Sequence, residues 1–143
     1  MARTSIRPPA ELQSATVLLT AATLYWNMAH GMEELRYGFQ LNFGLSPTWL
    51  GLFFCLGYLG EVITLLMLAT RPMLGCYLAL VVNALIAITS SHHVFDILFA
   101  WPYREGIISK AIEAALIISA YLSIPITIWA IAVARRAQKQ SPF

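Results

Sequence analysis

The sequence predicts an all-α protein, a four-helix transmembrane bundle with an extended or amphipathic outer loop after the first helix. Three observations carry that prediction. The 143 residues are 59% hydrophobic and only 11% charged, whereas a soluble domain carries about 25% charged residues. Four apolar stretches each reach the roughly 20 residues that a spanning helix needs. The breaks between them are short, which leaves one integral membrane domain over residues 1–143 and no room for a second.

The first span runs from about Leu12 to Glu34 (12–34). Pro8 and Pro9 precede it and stop any earlier helix. Its basic start, Arg3 and Arg7, has the look of a secretory leader. It ends in Asn27-Met28-Ala29-His30-Gly31-Met32-Glu33-Glu34, however, which is no small-residue cleavage site, so a retained helix is expected. The second span covers 47–70, with Ser46 as N-cap and Pro47 at the first helical position. Arg71-Pro72 make a very short turn, so spans two and three are antiparallel neighbours. The third span covers 73–95 and is followed by Trp101, Pro102 and Tyr103, an interfacial aromatic anchor. The fourth covers 105–135. Between spans one and two, Leu35 to Ser46 alternate apolar and non-apolar residues, which suggests an extended segment with one apolar face. An ordinary amphipathic loop in the headgroup region has the same pattern.

Lysine and arginine in the flanks set the orientation. With four spans both termini share a side. That side holds Arg3, Arg7, Arg71, Arg135, Arg136 and Lys139, against Arg36, Arg104 and Lys110 on the other. The excess predicts cytoplasmic termini. The net charge of +2 and the lack of a basic run with interleaved aromatics exclude a nucleic-acid partner. Cys55 and Cys76 fall on different spans at different depths, which argues against a disulfide.

Ionisable groups within apolar spans are costly and usually face a bundle interior. His30, Glu33 and Glu34 lie near the outer end of span one. His92, His93 and Asp96 lie at the outer end of span three, and Lys110 and Glu113 in the first turns of span four. Glu61 is deeper, roughly 21 Å along span two at the helical rise, and Asn27 and Asn83 are near mid-span. Asn27, His30 and Glu34 share one helical stripe, and Glu33 flanks it. Tyr58 and Glu61 share a face with Gly57, and Glu113, Ile117, Tyr121 and Pro125 form a stripe on span four. The expected interior is a cleft that is acidic and histidine-bearing outside and apolar below. Plainer readings stand beside this one. His30, Glu33 and Glu34 also suit a solvated helix end, His92 and His93 an interface, and Lys110 with Glu113 an intrahelical pair. Tyr121 and Asn83 also suit packing between helices. Glu61 has no neutralising neighbour in sequence.

His30-Gly31-Met32-Glu33-Glu34 resembles the signature of the HXXEE family of bacterial inner-membrane proteins, small helical proteins with this motif at the end of an early span. Asn83 followed by His92 or His93 resembles the family's later Asn/His feature. The family name implies a bacterial inner membrane but no activity. A second resemblance is architectural. Four spans, a histidine in the first, Pro47-Thr48-Trp49 opening the second, and Tyr121 to Pro125 in the last look like the emopamil-binding/EXPERA superfamily. That resemblance implies a sterol-like ligand in a membrane cavity lined by acidic residues, double-bond isomerase activity in some members, and His30, Glu34 and Glu61 as proton-handling groups.

The leading expectation is a membrane-embedded binder or enzyme for an isoprenoid or sterol-like molecule, acting by proton transfer. His30, Glu33, Glu34 and Glu61 are the candidate catalytic residues. Trp26, Asn27, Tyr58, Asn83, His92, His93, Asp96, Glu113 and Tyr121 are the candidate binding residues, and Trp129 is a further aromatic wall. No cofactor is required, but His30, Glu34 and His93 are ligand types suited to zinc or iron. The alternative is a non-catalytic accessory subunit of a membrane complex or homo-oligomer, assembled through the small residues Gly57 and Gly60, or a small proton or cation transporter built on Glu61.

Overall fold

The computed structural model describes residues 7–37, 47–99 and 107–140, with side chains described for 7–32, 51–52, 54–91, 94 and 107–140. The protein is all-α. Its four helices are α1 (Ala10–Tyr37), α2 (Pro47–Thr70), α3 (Pro72–Phe99) and α4 (Ile107–Gln140). Each expected span is a helix, and α2 has the bounds the sequence indicates. α1 continues through Leu35, Arg36 and Tyr37, so the alternating stretch does not begin as an extended segment. Once a helix is formed, each added residue gains a hydrogen bond, and three residues of period-two pattern do not outweigh that. The rest of that stretch lies outside the described residues. α4 passes Arg135 to reach Gln140, because Arg, Ala, Gln and Lys are all good helix formers.

The chain reverses between α2 and α3 at the single residue Arg71. Its N–H donates to the Met67 carbonyl at 2.7 Å, and the Gly75 N–H donates to the Arg71 carbonyl at 2.9 Å. The two helices leave this bend so close together that a Cβ on Gly75 would fall on the backbone of Met67 and Leu68. Glycine there is a requirement of approach.

Among the described residues α1 packs on α2, α3 and α4, and α3 packs on α2 and α4, while α2 and α4 do not meet. The order around the bundle is therefore α1, α2, α3, α4, with α1 and α3 touching across the diagonal. Tyr77 with Arg135 and Ser91 with Tyr121 show that α3 and α4 are antiparallel. Leu12 and Val17 pack on the cluster that holds Ala130 and Ile131, and Trp26 on the one that holds Leu116 and Ala120, which shows the same for α1 and α4. Two apolar clusters result. One, around Leu68, Cys76, Ala79, Ala130 and Ile131, closes the end where α1 begins. The other, around Ile86, Ala87, Leu116 and Ala120, lies on the α3–α4 side further along.

Large apolar side chains also cover the outside, among them Leu18, Leu56, Leu66, Ile88, Ile118 and Trp129. The Pro72–Ser91 part of α3 and the whole of α4 are each long and apolar enough to cross a membrane, and the Phe54–Thr70 part of α2 is apolar but shorter. Gly57 and Gly60 lie where α2 meets its neighbours in the bundle. A Cβ on Gly57 would sit 3.7 Å from Asn27 Nδ2, and one on Gly60 would sit 3.6 Å from Val82, so both serve contacts inside the bundle. Cys55 and Cys76 are free thiols, the first exposed and the second buried.

Gly75→Ala should destabilise the protein by about 1–3 kcal/mol through overpacking, and Leu68→Ala by about 2–5 kcal/mol through a cavity. Gly51→Ala is the control, since nothing lies within 4 Å of its added Cβ. Thermal unfolding in detergent checks this, and equal midpoints for the Gly75 and Gly51 variants would refute the close approach.

Candidate functional site

The site begins with a polar face on α1. Thr16, Thr20, Thr23, Asn27 and His30 follow spacings of four, three, four and three residues, which keeps them on one side of a helix. All five are buried. Thr16 and Thr23 donate to the carbonyls of Leu12 and Leu19 at 2.8 and 2.9 Å. A hydroxyl satisfied by its own helix can be buried at little cost. The same device recurs at Thr64 on α2 and at Ser119 and Ser123 on α4.

α2 grips this face at Asn27. The Asn27 Nδ2 donates to Glu61 Oε2 at 3.0 Å. One turn away on α2, the Tyr58 hydroxyl donates to the Asn27 main-chain carbonyl at 3.2 Å. That carbonyl is also the regular helical acceptor for the Gly31 N–H. Gly31 is what admits Tyr58, because a Cβ there would fall on the Tyr58 hydroxyl. Phe54 stacks on Tyr58, with ring centroids 6.1 Å apart and 29° between planes, and meets His30 edge-on at 6.1 Å and 65°. His30, Phe54, Tyr58, Asn27 and Glu61 are thus one cluster. Glu61 is 0% exposed, and its Oε1 has no hydrogen-bond partner among the described residues.

A second polar layer joins α1 to α3. The Asn83 Nδ2 donates to Thr20 Oγ1 at 3.2 Å. Asn83 is fully buried, and its Oδ1 is without a partner among the described residues. On α4, Lys110 and Glu113 approach to 3.8 Å as an i,i+3 pair, both buried. The antiparallel register of α1 and α4, with Trp26 beside Leu116 and Ala120, brings His30 level with Glu113 one turn further on.

The candidate residues therefore divide. Asn27, His30, Tyr58 and Glu61 come together, Asn83 lies one layer away, and Glu113 is buried at the level of His30. Tyr121 does not join them. It is exposed and shares a 2.8 Å hydrogen bond with Ser91 on the bundle's outer surface. Pro125 is exposed as well. Four residues turn a helix by 400°, so an unbroken i+4 row drifts by about 40° per step away from any one face. The buried row of α4 instead mixes steps of three and four, through Glu113, Leu116, Ala120, Ser123, Thr127 and Ala130. Trp129 is exposed, and Trp26 is half-buried against the second apolar cluster. The aromatic wall is therefore Phe54 and Tyr58. Glu33, Glu34, His92, His93 and Asp96 stand on helical backbone of α1 and α3, and their side chains lie outside the described ones. Among the described residues no three His, Cys, Asp or Glu side chains form a metal-ligand set; Glu34 and His93 of the alternative metal site fall outside that description.

The residues that sequence reasoning passes over are the hydroxyls: Thr16, Thr20, Thr23, Ser123 and Thr127, all fully buried. The signal for the three on α1 is the 4-3-4-3 spacing that leads directly into Asn27 and His30; Ser123 and Thr127 fall on the mixed three-and-four row of α4. Comparison with protein-family models, curated proteins and solved structures finds no match.

Tyr58→Phe removes one hydrogen bond and should cost about 1 kcal/mol. Gly31→Ala should displace the Tyr58 ring at a comparable or greater cost, and should cost less in the Tyr58→Phe background, where the hydroxyl is gone. A double-mutant cycle on unfolding midpoints measures the coupling, and strict additivity would sever Gly31 from Tyr58. Asn27→Ala strands a buried carboxylate oxygen and should destabilise by about 1–3 kcal/mol.

Proposed function

We propose that the protein is a four-span integral membrane protein of the bacterial inner membrane, with both termini cytoplasmic. Its interior His/Glu site binds a lipid-like molecule, isoprenoid or sterol-like, and moves protons on it. The observation that carries this reading is Glu61: a carboxylate wholly withdrawn from the surface, fixed through one oxygen by Asn27, whose main-chain carbonyl takes the Tyr58 hydroxyl. The placement of polar groups inside and large apolar groups outside favours an internal site over a polar docking face, and so favours this reading over an accessory subunit.

The chemistry follows from those groups. In a double-bond isomerisation an acid adds a proton to one alkene carbon, and a base removes a proton from the carbon next to the resulting cation. Atoms and charge balance without a cofactor. Glu33 or Glu34 of the motif serves as acid or base and His30 as the relay. Glu61, preoriented by Asn27, stabilises positive charge as it develops, which is the larger part of what a fixed dipole or charge contributes. The faces of Phe54 and Tyr58 assist by their ring quadrupoles. Cyclisation and epoxide opening use the same opening protonation. The resemblances to the HXXEE proteins and to the emopamil-binding/EXPERA superfamily support the location and the ligand class.

The test works on whatever lipid the membrane supplies. Membranes containing the protein are incubated in heavy water, and the extracted lipids are analysed by mass spectrometry. Acid–base chemistry on carbon should leave carbon-bound deuterium in one isoprenoid or sterol-like species. Glu61→Gln and Glu34→Gln should each abolish that label at unchanged protein level. Labelling that is equal in the Glu61→Gln membranes would overturn the role of Glu61.

A further inference from the structure

The polar interior does not stop at Glu61. It continues toward the start of α1, through Thr23, the Thr20–Asn83 pair, and Thr16 with Thr127. Leu12 and Val17 pack on the cluster that holds Ala130 and Ile131, which places Thr127 near the level of Thr16. Three buried acceptors along this file lack a hydrogen-bond partner among the described residues: Glu61 Oε1, Asn83 Oδ1 and Thr127 Oγ1. They belong to three different helices, and every one of these residues is 0% exposed. On α1 their levels are Asn27, Thr20 and Thr16, so successive acceptors are roughly 6–10 Å apart at the helical rise. Leaving a buried polar atom unpaired is costly, and a small donor such as water removes that cost where the surroundings are polar.

The two ends of the file differ. At the His30 end, exposure is small but not zero: Lys110 9%, Ser109 8%, Asn27 7% and His30 6%. From Glu61 onward it is zero. At the other end Leu68, Cys76, Ala79, Ala130 and Ile131 form an apolar floor, and the next polar residue of the α1 row, Gln13, is already satisfied by donating to the Leu68 carbonyl at 2.9 Å.

We propose that the bundle holds a one-ended well for water and protons. It opens at the His30–Lys110–Glu113 end, passes Glu61, and ends on the apolar floor below Thr16 and Thr127. Water in the well satisfies the three acceptors, and protons reach the His/Glu site from the α1 C-terminal side alone. The purpose of that delivery rests on the acid–base function proposed for the site. The well itself does not, because its test involves no lipid substrate.

In a Cys55→Ser background, Asn83→Cys and Thr127→Cys place thiols in the well, and native Cys76 marks the floor. Protein in oriented vesicles is exposed to a charged methanethiosulfonate, or to Ag⁺ as a probe closer to hydronium in size, from one side at a time. Expected is the gain of one adduct by each introduced thiol when the reagent is on the side of the α1 C-terminus, with Cys76 unmodified from either side. Water-edited solid-state NMR of the unaltered chain supplies a measurement independent of the variants. Water magnetisation should reach the Thr16, Thr20 and Thr127 side chains and not those of Ala79 or Ala130. Introduced thiols as inert as Cys76, together with no water transfer to these threonines, would overturn the well. Equal modification from both sides would overturn its single opening.

Discussion

The hydrogen bond from Asn27 to Glu61 is the constraint around which the rest of the interior is arranged. A carboxylate removed from water must find partners or a compensating charge. Asn27 supplies one bond from α1. To bring the two groups to 3.0 Å, α1 and α2 must approach closely, and the side chains at the crossing are small for that reason: Gly57 opposite Asn27, and Gly31 opposite Tyr58. Tyr58 then fixes the same α1 residue from its backbone side. Asn27 and its two partners hold α1 against α2 at this level, and the Gln13 Nε2 donating to the Leu68 carbonyl at 2.9 Å ties the same two helices near the start of α1.

Polar groups at the centre of a bundle bring a general problem, and this chain solves it by keeping most of them local. Thr16, Thr23, Thr64, Ser119 and Ser123 donate their hydroxyls to carbonyls of their own helices, so they need nothing from their neighbours. The Asn27–Glu61 and Asn83–Thr20 pairs, the Tyr58 hydroxyl on the Asn27 carbonyl and the Gln13 amide on the Leu68 carbonyl bond between helices, and these are positions that specify which helices meet. Between helices with apolar exteriors, hydrophobic contact discriminates weakly, while polar pairs discriminate strongly. Small hydroxyl residues and glycines also let the helix axes come near enough for such short bonds.

The helices are legible in the sequence because hydropathy, the Ser46-Pro47 start and the Arg71-Pro72 bend are local signals. Asn27, His30 and Glu61 are legible as an inward set because few other reasons exist for such groups in apolar segments. Two things are not. The threonine row looks like ordinary β-branched filling, since a hydroxyl bonded to its own helix leaves the hydropathy of a span almost unchanged. The inward face of α4 is equally hidden: a row of i+4 steps through Tyr121 and Pro125 drifts off the face, whereas the true row alternates steps of three and four. Glu113 lies on both rows, so either pattern turns it inward, while Tyr121 lies only on the row that drifts outward.

The motif His30-Gly31-Met32-Glu33-Glu34 consequently has more than one physical job. Met32 is exposed, and its position needs only an apolar surface. Gly31 is fixed by geometry, since any side chain there would collide with Tyr58. His30 is buried against Phe54 and faces the interior. A glycine between a buried histidine and an outward-facing methionine would be an odd choice for a helix end meant only to meet water, because glycine weakens a helix by about 1 kcal/mol. That cost is offset only if the close approach of α2 is worth more, and the approach exists to seat Tyr58 on Asn27, and Asn27 on Glu61. The glycine of the motif therefore ties its histidine to a carboxylate that stands far away in sequence.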